Sequence, residues 1–403
     1  MIESRDVKAE LIHRIEKNGK IPFVEFMDLV LYWPNGGYYA RKNLSNFYED
    51  YYTSPVAHPL FGALICVQVY QLWLLLGQIT PFWVIEYGAA GGVLCRDFFS
   101  YSKHLPNDFQ SAVRYVCVDR GTVAGFEVEA TYLDRVTTSR AQFSNITGCV
   151  ISNEFVDAMP THRIVVKNGD IREVYVTIMD GCIKEVLSTP SVSAIFDRVK
   201  DLGIDEHGDC EVEINLGMDE WIRDVGNALK KGFVITIDYG NIASELNSSQ
   251  HKFGTITSFY RHMQSDDIYS DVGFKDITSH VDFTTLMKCG NQNRLSTVGL
   301  VTQREFLKNL GAQEYMSRLG SVVVDQKTLD INRAAMLDIT KPGGLGDFKV
   351  LIQGKNIQGM DLWGLKGYSK IEGWLSQLPV PLIEDHHLDI LERKHPHLSQ
   401  QWF

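Results

Sequence analysis

A short apolar run followed by a glycine-rich segment constrains the fold of this chain more than any other feature. Residues 82–87 read FWVIEY and residues 88–92 read GAAGG. Four consecutive large apolar residues predict a strand that is buried on both faces. Small side chains then let the backbone turn sharply and approach a ligand. Apolar residues recur at helical spacing from Val93, so we expect the segment to lead into a helix whose first N–H groups carry partial positive charge.

A second buried strand follows, and it ends in an acidic residue. Residues 113–118 read VRYVCV and precede Asp119. An acid at the carboxyl end of the next parallel strand typically accepts hydrogen bonds from ribose hydroxyls. The two segments together predict a nucleoside-containing cofactor that lies across the carboxyl ends of a doubly wound α/β sheet.

The spacing of the glycines bears on the class of cofactor. The glycines do not follow the G-x-G-x-x-G pattern of dinucleotide sites. Instead, Glu86 stands two residues before Gly88, which gives E-x-G-x-x-x-G. This order is typical of S-adenosyl-L-methionine sites, which hold an amino-acid ammonium group and no pyrophosphate. A dinucleotide site and a tight turn without a ligand are the alternatives.

Composition and charge limit the partners and the location of the protein. The net charge of −11 argues against non-specific binding of nucleic acid, because phosphate contacts need a basic surface. The seven cysteines form no C-x-x-C pair, so we expect reduced thiols in a reducing compartment. The first residues carry early acids and no apolar run, unlike a signal or transit peptide. These features predict a cytoplasmic location.

One apolar segment could be mistaken for a membrane span. Residues 60–79 carry no formal charge, but Gln68, Gln71 and Gln78 interrupt them and no basic residue flanks them closely. We therefore expect a buried helix beside the first strand and no membrane insertion.

Acidic residues follow a third predicted strand. Residues 149–152 read CVIS, and Asn153, Glu154 and Asp157 come directly after them. The loop after this strand should face the reactive end of the cofactor. Two acids three residues apart can point the same way and share a cationic substrate. In the alternative interpretation, Glu154 caps a neighbouring element and Asp157 begins a turn.

The region from 241 to 290 is polar and is predicted to cover the site. A buried strand at residues 232–238 precedes it. The candidate substrate contacts around this region are Asp238, Tyr239, His262, Asp276 and His280. The H-x-D pairing of His280 with Asp282 does not match the spacing of a closed metal site. We therefore predict hydrogen bonding or substrate contact at these residues, and no metal.

Several motifs occur in an order that resembles one known family. The matching stretches are residues 50–55 with 61–62, then 86–92, 153–160, 237–240, 254–255, 276–283, Gln303 with 306–307, and 344–349. In this order they resemble the mitochondrial complex I assembly methyltransferase family and its bacterial MidA-like relatives. The resemblance runs from about residue 20 to residue 352.

The resemblance implies a fold, a cofactor and site residues. The fold would be a class I methyltransferase, a Rossmann-like doubly wound sheet that binds S-adenosyl-L-methionine. The residues at the cofactor's amino-acid end would be Glu86, Gly88, Ala90 and Gly92, with Asp119 at its ribose. The residues facing the methyl group and the substrate would be Asn153, Glu154 and Asp157. The residues closing the pocket would be Thr53, Ser54 and Pro55.

The resemblance also implies an activity. The mitochondrial member of the family looks like a protein arginine methyltransferase, so we expect this protein to methylate arginine in a protein substrate. The alternatives are a scaffold protein with weak or no cofactor binding and a small-molecule O- or N-methyltransferase. The sequence leaves the oligomeric state open, a homodimer included.

Three residues depart from the family pattern. The family motif reads E-L-G-x-G-x-G, whereas this chain has Tyr87 in place of leucine and Ala90 in place of the middle glycine. The family also tends to carry glutamate where this chain has Val56. The methyl group of Ala90 is tolerated where the backbone φ is negative, but not where left-handed geometry is required.

We expect N-terminal helices, the sheet and a substrate-covering insertion to follow one another along the chain. The predicted boundaries are a helical cap at 1–80, a cofactor-binding core with added hairpins at 81–240, an insertion or lid at 241–300, completion of the core sheet at 301–355, and a tail without an assigned role at 356–403.

Overall fold

The chain forms two compact units, each built from three separate segments. The computed structural model describes residues 5–41, 52–120, 130, 132–138, 140, 142–204, 209–248, 252–260, 263–357, 359–367, 371–384 and 387. The first unit consists of Met1–Asn43, Phe155–Arg223 and Gly240–Cys289. The second unit consists of Leu44–Glu154, Asp224–Tyr239 and Gly290–Phe403.

Helices occur along the whole described chain. They are α1 (Val7–Asn18), α2 (Phe23–Tyr32), α3 (Tyr38–Arg41), α4 (Ser54–Ala57), α5 (Leu60–Leu75), α6 (Val93–Ser102), α7 (Asn107–Ala112), α8 (Ala194–Asp201), α9 (Leu216–Ala228), α10 (Ala243–Leu246), α11 (Phe283–Gln292), α12 (Gln303–Asn309), α13 (Ala312–Arg318), α14 (Gln326–Asp338), α15 (Trp363–Lys366) and α16 (Ile371–Leu375).

The strands are concentrated between residues 82 and 355. They are β1 (Ile21–Pro22), β2 (Phe82–Tyr87), β3 (Val113–Asp119), β4 (Leu133–Thr137), β5 (Ile146–Asn153), β6 (His162–Lys167), β7 (Asp170–Met179), β8 (Cys182–Ser188), β9 (Cys210–Ile214), β10 (Leu229–Asp238), β11 (Gly240–Asn241), β12 (Thr257–Tyr260), β13 (Met263–Ser265), β14 (Asp276–Thr278), β15 (Val281–Asp282), β16 (Ser296–Thr302) and β17 (Lys349–Lys355).

A seven-stranded sheet with the order β16-β17-β10-β5-β2-β3-β4 forms the centre of the second unit. Strands β10, β5, β2, β3 and β4 are parallel, whereas β17 pairs antiparallel with β10 and β16 pairs antiparallel with β17. The strands predicted to lead into the glycine-rich segment, into Asp119 and into Asn153 are therefore neighbours in one sheet. Their carboxyl ends lie at one edge, as the sequence predicts.

Helix α5 is a buried helix of the second unit. It packs with α6 in a core that includes Phe61, Phe98 and Tyr115. The two glutamines within it are buried and satisfied: the Gln68 side chain donates to Gln71 Oε1 (2.8 Å) and accepts from the Gly364 N–H (2.9 Å). Among the described residues, no helix is long and apolar enough to cross a membrane.

The first unit contains a separate antiparallel sheet in the order β1-β7-β6-β9, with β8 also paired to β7. Strands β6 and β7, and strands β7 and β8, form two hairpins within the region where the sequence predicts hairpins. The φ angles are 50° and 77° at Asn168 and Gly169, and 53° and 74° at Asp180 and Gly181. Positive φ at both central residues matches the twist of paired strands, and Asn-Gly and Asp-Gly adopt it readily.

The polar region that was predicted to cover the site contributes regular structure to the first unit. Strands β13, β12 and β14 form a three-stranded antiparallel sheet, and β11 pairs with β15 in parallel. This unit ends at Cys289, inside the predicted 241–300 insertion, and the following residues belong to the second unit.

Candidate functional site

The glycine-rich loop between β2 and α6 has left-handed backbone at every second residue. The φ angles of Gly88, Ala90 and Gly92 are 70°, 49° and 73°. The Gly88 N–H donates to the Val118 carbonyl at 2.9 Å, which ties the loop to β3. Glycine adopts this geometry freely, whereas an alanine in it is strained. Ala90 therefore lacks the negative φ at which its methyl group would be tolerated.

The loop holds the acid at the end of the neighbouring strand. The Ala90 N–H donates to Asp119 Oδ2 at 2.9 Å, and the Asp119 side chain is partly exposed. One backbone donor thus fixes one oxygen of the carboxylate. The two predicted contacts with the cofactor, at its amino-acid end and at its ribose, are linked by this hydrogen bond.

Glu86 lies beneath the loop in a buried position. Only 4% of it is exposed, and its Oε2 accepts a hydrogen bond from the Tyr115 hydroxyl at 2.8 Å. Burial raises the pKa of Glu86 to about 8, and the nearby charge of Asp119 adds to the rise. The Glu86 carboxyl is therefore mostly neutral at pH 7. Tyr115 was not predicted as a site residue, and its place in the apolar run that ends in Asp119 was the available signal.

Asn153 and Glu154 meet at the carboxyl end of β5. Glu154 has a φ of 47°, and its N–H donates to the Ile237 carbonyl at 2.9 Å. The Asn153 amide donates to Glu154 Oε1 at 3.2 Å. The other amide atom, Oδ1, is buried and accepts no hydrogen bond from the part of the chain that the structure describes. A glutamate held in left-handed geometry is a marker of a functional site.

Asp238 and Tyr239 occupy the corresponding place at the end of β10. The Asp238 side chain is fully buried, and its Oδ1 accepts from the Tyr239 N–H at 2.9 Å. The Tyr239 ring lies against Phe348, with ring centroids 5.4 Å apart. The structure therefore places these two predicted substrate contacts at the same sheet edge as Asn153.

The segment expected to close the pocket begins α4. Thr53 is the residue before this helix, Ser54 and Pro55 form its first turn, and Val56 is completely buried. The Ser54 hydroxyl and the Gln303 side chain are hydrogen-bonded at 2.8 and 3.1 Å. Residues 50 and 51 of this motif lie outside the described residues.

The remaining candidates belong to the first unit. The Asp157 carbonyl accepts from the Ser279 N–H at 3.1 Å, and Asp276 Oδ2 accepts from the Tyr39 hydroxyl at 2.9 Å. The His280 N–H donates to Thr255 Oγ1 at 3.0 Å. His262 lies outside the described residues.

Asp282, which entered the metal hypothesis, begins a helix. Its Oδ1 accepts from the Thr284 and Thr285 N–H groups at 2.9 and 3.3 Å. This is the arrangement of a residue that caps the first turn of α11.

The edge of the sheet in the second unit fits a nucleoside cofactor with an amino-acid end. The loop carries no large side chain from Gly88 to Gly92, so its backbone can approach a ligand closely. Asp119 offers a partly exposed carboxylate at the end of β3, and Glu154 offers a second one at the end of β5, on the other side of β2. This combination can bind a ligand through ribose hydroxyls and orient a cationic group beside Glu154.

Three comparisons with known proteins agree with this geometry. A family described as "Putative S-adenosyl-L-methionine-dependent methyltransferase" matches residues 64–301, more than half of the chain. The rat mitochondrial protein arginine methyltransferase NDUFAF7 is 28% identical over 334 residues, which is 75% of this chain and 73% of the relative. Its Drosophila melanogaster homologue is 23% identical over 399 residues, covering 89% and 88%.

A solved structure shows the same fold. The "likely methyl transferase" from Burkholderia thailandensis, bound to S-adenosyl-homocysteine, matches with a TM-score of 0.75 and 24% identity. The match covers 90% of this chain and 95% of that chain. The predicted class I methyltransferase fold is confirmed.

The predicted cytoplasmic location is wrong. The rat and Drosophila relatives are named as mitochondrial proteins. Scattered reduced cysteines indicate only that the compartment is reducing, and this property does not select the cytoplasm.

Ala90→Gly should stabilise the protein. Glycine removes the strain of a left-handed alanine, and its greater freedom in the unfolded chain offsets part of the gain. We expect a net increase of about 0.5–1 kcal/mol in the free energy of unfolding, measured by urea denaturation. Ala89→Gly is the matched control, because Ala89 is not among the residues with positive φ and glycine should destabilise it. Equal losses in both variants would contradict the strain at Ala90.

Glu86→Gln should change how stability depends on pH. The folded-state pKa of Glu86 is raised from 4.5 to about 8. The contribution of this group to the free energy of unfolding is therefore full below pH 4.5 and is lost as the pH rises through 8. Glutamine stays neutral and can still accept from Tyr115. Between pH 5 and pH 8, the free energy of unfolding of the variant should rise by a few kcal/mol relative to that of the native protein, measured by thermal unfolding. Parallel curves would show that Glu86 titrates normally, and the exposed Glu305→Gln serves as the control.

The family match, the parallel sheet and the loop at its carboxyl edge lead to one conclusion. This chain belongs to the MidA-like family of S-adenosyl-L-methionine-dependent methyltransferases.

Proposed function

We propose that this protein methylates an arginine side chain of a protein substrate. The observation that carries the proposal is Glu154, a partly exposed carboxylate that the backbone holds in left-handed geometry at the end of β5. The rat and Drosophila relatives are named protein arginine methyltransferases, which supports the same acceptor.

The residues proposed to hold the cofactor lie on the loop and at the end of β3. Gly88 and Gly92 leave the backbone open to the amino-acid end, and Asp119 accepts from the ribose hydroxyls. Bound S-adenosyl-L-methionine supplies a methyl group on a positively charged sulfur. The neutral Glu86 carboxyl beneath the loop adds no repulsion to the cofactor's own carboxylate and can ionise when a cation arrives nearby.

Glu154 acts on the acceptor. An arginine guanidinium is fully protonated at neutral pH, and its charge is spread over three nitrogens. The Glu154 carboxylate orients the guanidinium and draws its charge toward one end by hydrogen bonding. It takes the proton that the attacking nitrogen loses as the methyl group passes from sulfur to nitrogen, which leaves S-adenosyl-homocysteine. The Asn153 amide, which donates to Glu154 Oε1, limits rotation of the carboxylate. We also propose a catalytic role for Asp157.

A second candidate function rests on Ala90. Strain in the cofactor loop favours a protein that keeps the methyltransferase fold, binds the cofactor weakly and acts as an assembly scaffold. The two candidates differ in their affinity for the cofactor product.

Calorimetric titration of the full chain with S-adenosyl-homocysteine separates the two. The enzyme should bind with micromolar affinity, and Gly88→Asp should abolish binding because a charged side chain would fill the loop and repel the cofactor carboxylate. Thermal unfolding checks that the variant folds. A native chain that releases no heat and shows no thermal shift would favour the scaffold.

Glu154→Gln tests the proposed catalytic role. We expect the variant to bind S-adenosyl-homocysteine as the native chain does, because the glutamine keeps the shape of the side chain. Transfer of labelled methyl groups from S-adenosyl-L-methionine to the arginines of a mitochondrial protein extract should fall by about 10²–10⁴-fold without the proton acceptor. The exposed Glu305→Gln is again the control. Unchanged transfer by Glu154→Gln would remove this residue from the mechanism.

A further inference from the structure

A buried carboxylate of the first unit is held by a tyrosine from the N-terminal helices. Asp276 is 1% exposed, and its Oδ2 accepts from the Tyr39 hydroxyl at 2.9 Å. The two residues are 237 positions apart in the sequence, so the contact depends on the fold of the whole unit. Tyr39 as a whole residue is partly exposed.

A second tyrosine extends this arrangement toward a second acid. The Tyr32 and Tyr39 rings are stacked, with centroids 5.2 Å apart and planes inclined by 15°. The Tyr32 hydroxyl donates to the Ala158 carbonyl at 2.7 Å, next in the chain to Asp157. Like Tyr39, Tyr32 is partly exposed. The stacked pair thus reaches from Asp276 to the segment that carries Asp157.

Asp157 lies close to the same tyrosines. It is 5% exposed, and its carbonyl accepts from the Ser279 N–H, three residues beyond Asp276. Burial raises the pKa of Tyr39, and the charges of Asp276 and Asp157 both raise it further. The negative charge of two acids is therefore concentrated around one tyrosine.

Two buried hydroxyls on the same sheet face as Asp276 make no hydrogen bond with any described residue. They belong to Thr278 and Thr257, which are 1% and 7% exposed and pair directly across β14 and β12. Side chains two residues apart on a strand point to the same face, so Thr278 points as Asp276 does. A buried hydroxyl without a partner is costly, and a polar ligand at this face would satisfy it.

These features together favour a planar cation. Buried carboxylates are stabilised when a cation with matching hydrogen-bond donors binds beside them. A guanidinium offers several donors in one plane and stacks on aromatic rings, whereas an ammonium group is a strongly hydrated point charge. The stacked tyrosine pair supplies an aromatic surface, and the threonine hydroxyls supply further acceptors.

We propose that Asp157, Asp276, Tyr32 and Tyr39 form a binding subsite, within the first unit, for the guanidinium group of an arginine side chain of the protein substrate. The subsite rests on the proposed function, because it names residues that bind an arginine side chain of the proposed protein substrate. Tyr39 is a positioning residue, since its hydroxyl holds the Asp276 carboxylate in place.

Binding of two matched small molecules to the full chain tests the subsite. The probes are N-acetyl-arginine amide and N-acetyl-citrulline amide, which have nearly the same shape and differ in charge. Saturation-transfer NMR should detect binding of the arginine derivative to the native chain and none of the citrulline derivative. Asp276→Asn should weaken the arginine derivative at least tenfold, and Tyr39→Phe should weaken it several-fold.

Two variants of the same unit serve as controls. Asp266→Asn changes an exposed acid, and Tyr175→Phe removes a hydroxyl that donates to the Thr189 carbonyl. Both should bind the arginine derivative as the native chain does. Tyr39→Phe removes a single oxygen, so it carries the test if Asp276→Asn fails to fold.

The outcomes distinguish the subsite from the proposed function. Equal binding of the two derivatives, no binding of either, or native affinity in a folded Asp276→Asn or Tyr39→Phe variant would overturn the subsite. Titration with S-adenosyl-homocysteine should be unchanged in all four variants. A native chain that does not bind S-adenosyl-homocysteine would instead count against the proposed function. Selective binding of the arginine derivative by that chain would still support the subsite.

Discussion

Parallel pairing of β2 with β3 and β5 is the constraint on which the second unit depends. Tyr87 pairs with Val118 on one side and with Ser152 on the other, so the three strands end at the same level. The residues that follow each strand must then occupy one edge of the sheet. This register brings the glycine-rich loop, Asp119 and Asn153 together, although α6 and α7 separate the loop from Asp119 in the sequence and β4 lies between Asp119 and Asn153.

Two residues with a strained backbone lie at this edge. Ala90 and Glu154 both adopt left-handed geometry, and each is held there by neighbours: Ala90 by Asp119, and Glu154 by the Ile237 carbonyl. Strained residues persist only where the surrounding structure determines their conformation. At Glu154 the geometry directs a carboxylate at the sheet edge, whereas at Ala90 the methyl group has no evident use. The strain at Glu154 therefore supports the proposed methyl transfer, whereas the strain at Ala90 favours weak cofactor binding.

Buried carboxylates occur in both units, and each has an identified hydrogen-bond donor or a close tyrosine. Glu86 accepts from Tyr115, and Asp238 accepts from a backbone N–H. Asp276 accepts from Tyr39. A carboxyl group removed from water either binds a proton or requires donors and cations around it. Glu86 follows the first course because its pKa is raised to about 8. The subsite proposed around Asp276 follows the second course.

Sequence alone determined the elements whose cause is local. The strand at 82–87, the strand ending in Asp119 and the hairpins at Asn-Gly and Asp-Gly follow from apolar runs and turn residues a few positions apart. Only the tertiary structure decided the partners of the site residues. The Ser54 hydroxyl meets Gln303 across 249 positions, and Tyr39 meets Asp276 across 237. Short-range periodicity carries no information on such contacts, because burial and strand register bring distant side chains together only when the chain is folded.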